Sequence, residues 1–168
     1  MNTFYDNSFK KKIVTIHPGE FYVSDKDELI STVLGSCVAV VLFDSVNLIG
    51  GMNHFMLPRR SLSDAKDIIK EPITRFGDHA IRALIKEMVK QGAEKANLKA
   101  KVFGGSNVFN LEESNTRKNV GESNVVFAHE YLEWLRIPVV AEDCGGLNSR
   151  KIYFSPTTFK VLMKRIQG

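Results

Sequence analysis

The chain is short of every feature that would place it in a specialised class. It has two cysteines in 168 residues, Cys37 and Cys144, far apart in sequence. That excludes a disulfide framework and leaves free thiols in a reducing compartment. No apolar run approaches the roughly 20 residues that a membrane span needs. The longest, Cys37 to Phe43 and Ile49 to Leu57, are of strand length. The opening residues, Met1-Asn2-Thr3-Phe4-Tyr5-Asp6, lack the basic-then-apolar layout of a secretory signal. The expectation is a cytoplasmic protein with no membrane insertion. Net charge is only +4, with small basic clusters at Lys10-Lys11-Lys12, Arg59-Arg60 and Lys164-Arg165. Nucleic-acid binding needs a concentrated basic stripe and a recognisable motif, and neither is present. A mild positive balance fits a solvated surface, or docking to an acidic protein surface.

What is present is an ordinary core-forming composition, 43% hydrophobic and 25% charged. Residues 1–168 read as one domain, with 1–10 as a loose N-terminal arm. Ile13 to Ile16 and Phe21 to Val23 read as short strands around the turn His17-Pro18-Gly19. Val38 to Phe43 is a continuous apolar run of the kind buried on both faces of a sheet. Ile49 to Leu57 follows the turn Asp44-Ser45-Val46-Asn47 as its partner. Pro58 to Phe76 reads as a surface connection. A helix capped by Asp78 carries Ile81, Leu84, Ile85 and Met88 at helical spacing and stops at Gly92. Leu98 to Phe103 is a strand, and 106–122 a polar connection. A second helix, capped by Ser123, turns Ala128, Tyr131, Leu132 and Leu135 inward. Val139 to Ala141 is a strand, and Lys151 to Phe154 with Phe159 to Met163 forms a last hairpin. The class is mixed α/β, with helices covering sheets.

Leu34-Gly35-Ser36-Cys37 is the most informative segment. A turn of small residues sets a thiol at the mouth of a hydrophobic strand, where neighbouring backbone N–H groups could bind an oxyanion. An unperturbed thiol is only ~3% ionised at neutral pH, so a base must supply the rest. His54, in the partner strand, is the candidate. Other readings stand beside this one. A buried Cys is commonly an inert core residue, and a lone His in an apolar strand is commonly a hydrogen-bonded core residue. Cys144, His17, His79 and His129 show no metal-ligand spacing, so no metal is expected. Gly104-Gly105 and Gly145-Gly146 lack the GxGxxG spacing of a dinucleotide site and read as strand-ending turns.

Leu34-Gly35-Ser36-Cys37-Val38-Ala39-Val40 and Ile49-Gly50-Gly51-Met52-Asn53-His54-Phe55-Met56-Leu57-Pro58 resemble the signature of CheD, the chemoreceptor glutamine deamidase family. Phe76-Gly77-Asp78, Lys101 to Gly105, Val120 to Val125, Ile137 to Asp143, Gly145-Gly146 and Arg150-Lys151 resemble further CheD blocks in the same order. The resemblance implies a sandwich of two mixed β-sheets flanked by helices, similar to the catalytic domain of cytotoxic necrotizing factor toxins. It implies Cys37 as nucleophile, His54 as base and a hydroxyl that orients the imidazole. Ser31 and Thr32 both qualify for that hydroxyl. Strand alternation favours Ser31 sharing a face with Cys37, although the bend at Gly35 weakens the argument. The implied substrate is glutamine on methyl-accepting chemotaxis proteins, with no cofactor. A CheC-type phosphatase is the implied partner. A regulatory binding module, or a receptor methylesterase using the same cysteine, are the alternatives.

Overall fold

The computed structural model describes residues 1–59, 72–108 and 119–167. Among the described residues, ten strands form two five-stranded mixed sheets. The first has the order β1 (Asn2–Asp6), β2 (Lys11–Thr15), β4 (Leu29–Leu34), β9 (Ser149–Phe154) and β10 (Val161–Ile166). The second has the order β3 (Phe21–Ser24), β6 (Ile49–Asn53), β5 (Val38–Asp44), β7 (Leu98–Gly104) and β8 (Val139–Cys144). Pairing is antiparallel except between β2 and β4 and between β7 and β8.

The alternation of β5 organises the interior. All seven of its residues are buried. Ala39, Val41 and Phe43 point toward the first sheet and pack with Ile30, Leu34, Ile152 and Phe154. Val38, Val40 and Leu42 point the other way, into a second core closed by the helices α1 (Gly77–Lys90) and α2 (Val120–Trp134). The order of layers is therefore sheet, sheet, helices, and both described helices cover the same sheet. Each fully buried aliphatic side chain contributes roughly 1.5–3 kcal/mol.

The inner stripe of α1, Ile81, Leu84, Ile85 and Met88, is buried as its spacing predicts. Its cap is not Asp78 but Phe76, which offers no side-chain bond. Asp78 is the second residue of the helix, in its first turn, where a carboxylate favours the helix dipole. Ser123 likewise does not cap α2. Asn119 does, accepting the Glu122 N–H at 3.2 Å. The expected loose arm is also corrected. Residues 2–6 form β1, paired with β2 from Asn2↔Thr15 to Asp6↔Lys11. Its side chains are almost all exposed, so main-chain hydrogen bonds hold it and no apolar pattern betrays it. The connections expected over Pro58 to Phe76 and 106–122 fall largely outside the described residues.

β4 ends in one sheet and β5 begins in the other, so Gly35-Ser36-Cys37 is the crossing point between the layers. The turn after β2 makes the same crossing in the same direction, into β3.

Candidate active site

Thr32 lies on β4 between Ile30 and Leu34, which pack into the core between the sheets. It therefore faces the second sheet. His54 follows the last residue of β6. Here the chain leaves the β5 ladder, and the Asn53 side chain accepts the Val40 N–H in its place at 2.9 Å. The His54 backbone is held instead by the 19–20 turn, through His54 N–H to Glu20 O at 3.1 Å and Gly19 N–H to His54 O at 2.8 Å.

Thr32 Oγ1 lies 2.7 Å from His54 Nδ1 and 2.8 Å from Ile16 O. The carbonyl can only accept, so the single hydroxyl proton goes to it. The hydroxyl oxygen must then accept from Nδ1–H. This fixes the tautomer and leaves the Nε2 lone pair free. Ser31 points to the opposite face of β4, fully buried, and its Oγ has no hydrogen-bond partner among the described residues. The expectation from alternation that Ser31 shares the Cys37 face is thus corrected. The crossing at Gly35-Ser36 resets the parity, and Thr32 holds the imidazole.

Cys37 is half-buried and packs against the core between the sheets. Val38 and Phe55 exchange hydrogen bonds, N–H of 38 to O of 55 at 3.1 Å and the reverse at 2.9 Å. Cys37 and His54, each one residue before a member of that pair, are diagonal neighbours on one face, the separation that long side chains bridge.

Three successive carbonyls before β5 are held from the β7 and α2 side. Gly35 O accepts from Ser106 N–H at 2.9 Å, Ser36 O from Asn124 Nδ2 at 2.9 Å and Cys37 O from Gly105 N–H at 2.8 Å. Gly104 permits the approach. A Cβ there would sit 2.2 Å from Cys37 O, and its φ of +113° is one that side chains rarely adopt. In a trans peptide the N–H points opposite to the carbonyl. The N–H groups of Ser36 and Cys37 are therefore directed away from these partners; among the described residues neither meets a backbone acceptor, and the Cys37 N–H acts on its own thiol.

Burial is the main cause of both titration shifts. It raises the Cys37 thiol, with its own N–H pulling slightly back. It lowers His54 to about 4, assisted by the charge of His17 and opposed by Glu20. At neutral pH the pair rests as thiol and neutral imidazole, not as a preformed ion pair. Such a pair suits general-base catalysis, with the proton leaving sulfur as the sulfur attacks.

The family model described as CheD chemotactic sensory transduction matches residues 56–165. A protein of Methylobacillus flagellatus named "Probable chemoreceptor glutamine deamidase CheD" is 43% identical, over 99% of this chain and 80% of its own length. One of the same name from Thiobacillus denitrificans is 44% identical over 99% and 80%. The chain belongs to the CheD family. A further relative, "Probable chemoreceptor glutamine deamidase CheD 1" of Shewanella oneidensis, is 43% identical over 99% of this chain and 78% of its own. The family-model match begins two residues beyond His54, whereas these relatives align across nearly the whole chain. Among solved structures, the crystal structure of Bacillus licheniformis hypothetical protein YfiH aligns over 83% of this chain and 61% of its own, with a TM-score of 0.45 and 14% identity.

Two residues of this CheD-family site escape a reading of the sequence. Asn53 and Asn124 are fully buried amides bonded to the backbone around Cys37 and His54. The signal for Asn124 was available. It lies one turn before Ala128 on the inner face of α2, where a polar residue interrupts an apolar stripe. The fold also gathers His129, Glu142 and Cys144, whose ligand-type atoms lie within 4.8 Å of one another, a grouping that sequence spacing conceals. Each already has a protein partner. His129 Nε2 lies 2.5 Å from Glu142, and the Cys144 thiol donates to Val102 O at 3.4 Å.

Proposed function

We propose that this chain hydrolyses the side-chain amide of glutamine on methyl-accepting chemotaxis receptors, with Cys37 as nucleophile, His54 as base and Thr32 as the residue that orients the base. The observation that carries the residue roles is the Thr32–His54 hydrogen bond, because the direction of its proton leaves Nε2 as the basic nitrogen. The Nε2 atom takes the thiol proton as sulfur bonds to the carboxamide carbon, and the carbonyl electrons move onto oxygen. Backbone N–H groups at Ser36-Cys37 receive that oxyanion. The imidazolium returns the proton to nitrogen, the C–N bond breaks, and ammonia leaves a thioester. Water, deprotonated by His54, attacks the thioester. The C–S bond breaks, the sulfur regains its proton, and glutamate remains. The fold supplies each of these groups from its own residues. Ser31 takes no part.

A cytoplasmic location belongs to this proposal, because the signalling domains of the receptors lie there. No described helix is long and apolar enough to cross a membrane. A CheC-type phosphatase belongs to the same proposal as a binding partner. Capture of that phosphatase by Cys37→Ala as well as by wild type separates binding from turnover. The activity itself is tested by incubating purified receptor with the protein. Ammonia release, equal to the glutamine-to-glutamate mass change on receptor peptides, is the expected result. Unchanged conversion by Cys37→Ala ends the proposal. Methanol released from methylated receptor, without ammonia from glutamine, would favour a methylesterase.

A further inference from the structure

We propose that Asn124 is a positioning residue for the oxyanion contact, its carboxamide aiming the Cys37 N–H at the side from which substrate is attacked. This rests on the deamidase activity proposed above. Asn124 is fully buried on α2, and its Nδ2 donates to Ser36 O and to Met56 O, both at 2.9 Å. One amide thus joins the residue before the nucleophile to the residue two beyond the base. The Ser36 carbonyl and the Cys37 N–H belong to a single peptide plane, and no cis peptide bond is present among the described residues. Fixing the oxygen therefore fixes the direction of the N–H. Among the described residues, that plane is otherwise tethered only through its neighbours, Gly35 O and Cys37 O, so loss of Asn124 removes its direct restraint against rotation.

His54 does not depend on Asn124 in the same way. Its backbone is held by Gly19 and Glu20 and its ring by Thr32. Loss of the clamp should misdirect the oxyanion donor and leave the thiol–imidazole pair intact. These two functions have separate readouts. Amide hydrolysis needs the oxyanion contact. Alkylation of Cys37 by iodoacetamide is a displacement at an sp³ carbon, needs only the thiolate, and forms no oxyanion.

The experiment measures both on the intact chain, for wild type, Asn124→Ala and Asn124→Ser. Deamidation uses a purified receptor signalling domain, and alkylation is followed by mass spectrometry of the Cys37 peptide across pH. For Asn124→Ala the expected kcat falls by about 10²-fold, the scale of losing one oxyanion donor. KM, the Cys37 alkylation rate and its pH profile should stay within about twofold. Asn124→Ser retains one donor, with an expected loss of about tenfold and the same split. It decides the question if the alanine variant does not fold. Turnover equal to wild type in a folded variant overturns the proposal. So does a parallel fall of turnover and alkylation, which marks a role in holding the fold or the thiol–imidazole pair. Wild type that alkylates at Cys37 yet converts no glutamine overturns the deamidase activity, and this inference with it.

Discussion

Cys37 and Cys144 lie on opposite faces of the same sheet. Val38, Gly104 and Cys144 are in register across β5, β7 and β8. Cys144 packs on the helix-side core, and Cys37, one residue from Val38, packs on the core between the sheets. Both are half-buried, and burial raises both thiols. For Cys144 burial and the neighbouring Glu142 carboxylate push the value up to about 12, and its proton is committed to the Val102 carbonyl. The nearby His129 is bound to Glu142. Cys37 instead shares one face of its sheet with His54, a diagonal neighbour whose imidazole is bonded to Thr32 in the other sheet. Partial burial therefore quiets a thiol unless a base of defined protonation shares its face.

That contrast can be broken at several points. Cys37→Ala should reduce receptor deamidation to the background rate, measured as ammonia release, whereas Cys144→Ala should leave it within about twofold. His54→Ala should cost about 10²-fold or more in kcat. Because the folded imidazole is lowered from 6.5 to about 4, the unfolded chain binds a proton between those values that the folded chain refuses. Stability from this group is present above pH 6.5 and is lost as pH falls toward 4, by about 3 kcal/mol at most. Urea titrations of wild type and His54→Gln over that range should diverge accordingly, the variant showing the shallower slope. Thr32→Val should lower kcat about tenfold, through one lost orienting hydrogen bond, and Ser31→Ala should lower it less than twofold. If Ser31→Ala has the larger effect on kcat, the assignment of the orienting hydroxyl is reversed.

The parts that were legible from sequence are those with strong local chemistry. The run Val38 to Phe43, the helical stripe of α1 and the strands adjoining Cys37 and His54 all carry apolar patterns that burial reads directly. β1 was not legible, because an edge strand held by its backbone has no side-chain signature. The choice between Ser31 and Thr32 was not legible either. Face parity cannot be carried across a small-residue turn that moves the chain from one sheet to the other. Asn124 is 88 residues from Ser36 in sequence, about half of the chain, and the packing of α2 on β5 and β7 brings the two together. The helix caps failed for a more local reason. Ser123 and Asp78 are good cap residues, but the chain enters each helix earlier than they suggest.

The Thr32–His54 contact has its two ends in different layers. Its length is therefore a gauge of how far apart those layers stand, and the basicity and aim of the imidazole are tied to that gap. Large side chains of the core between the sheets, Ile30 and Phe154 among them, are spacers that set this gap, and in the proposed mechanism they calibrate the nitrogen that acts as base. Under that mechanism interior bulk is a kinetic variable as well as a thermodynamic one.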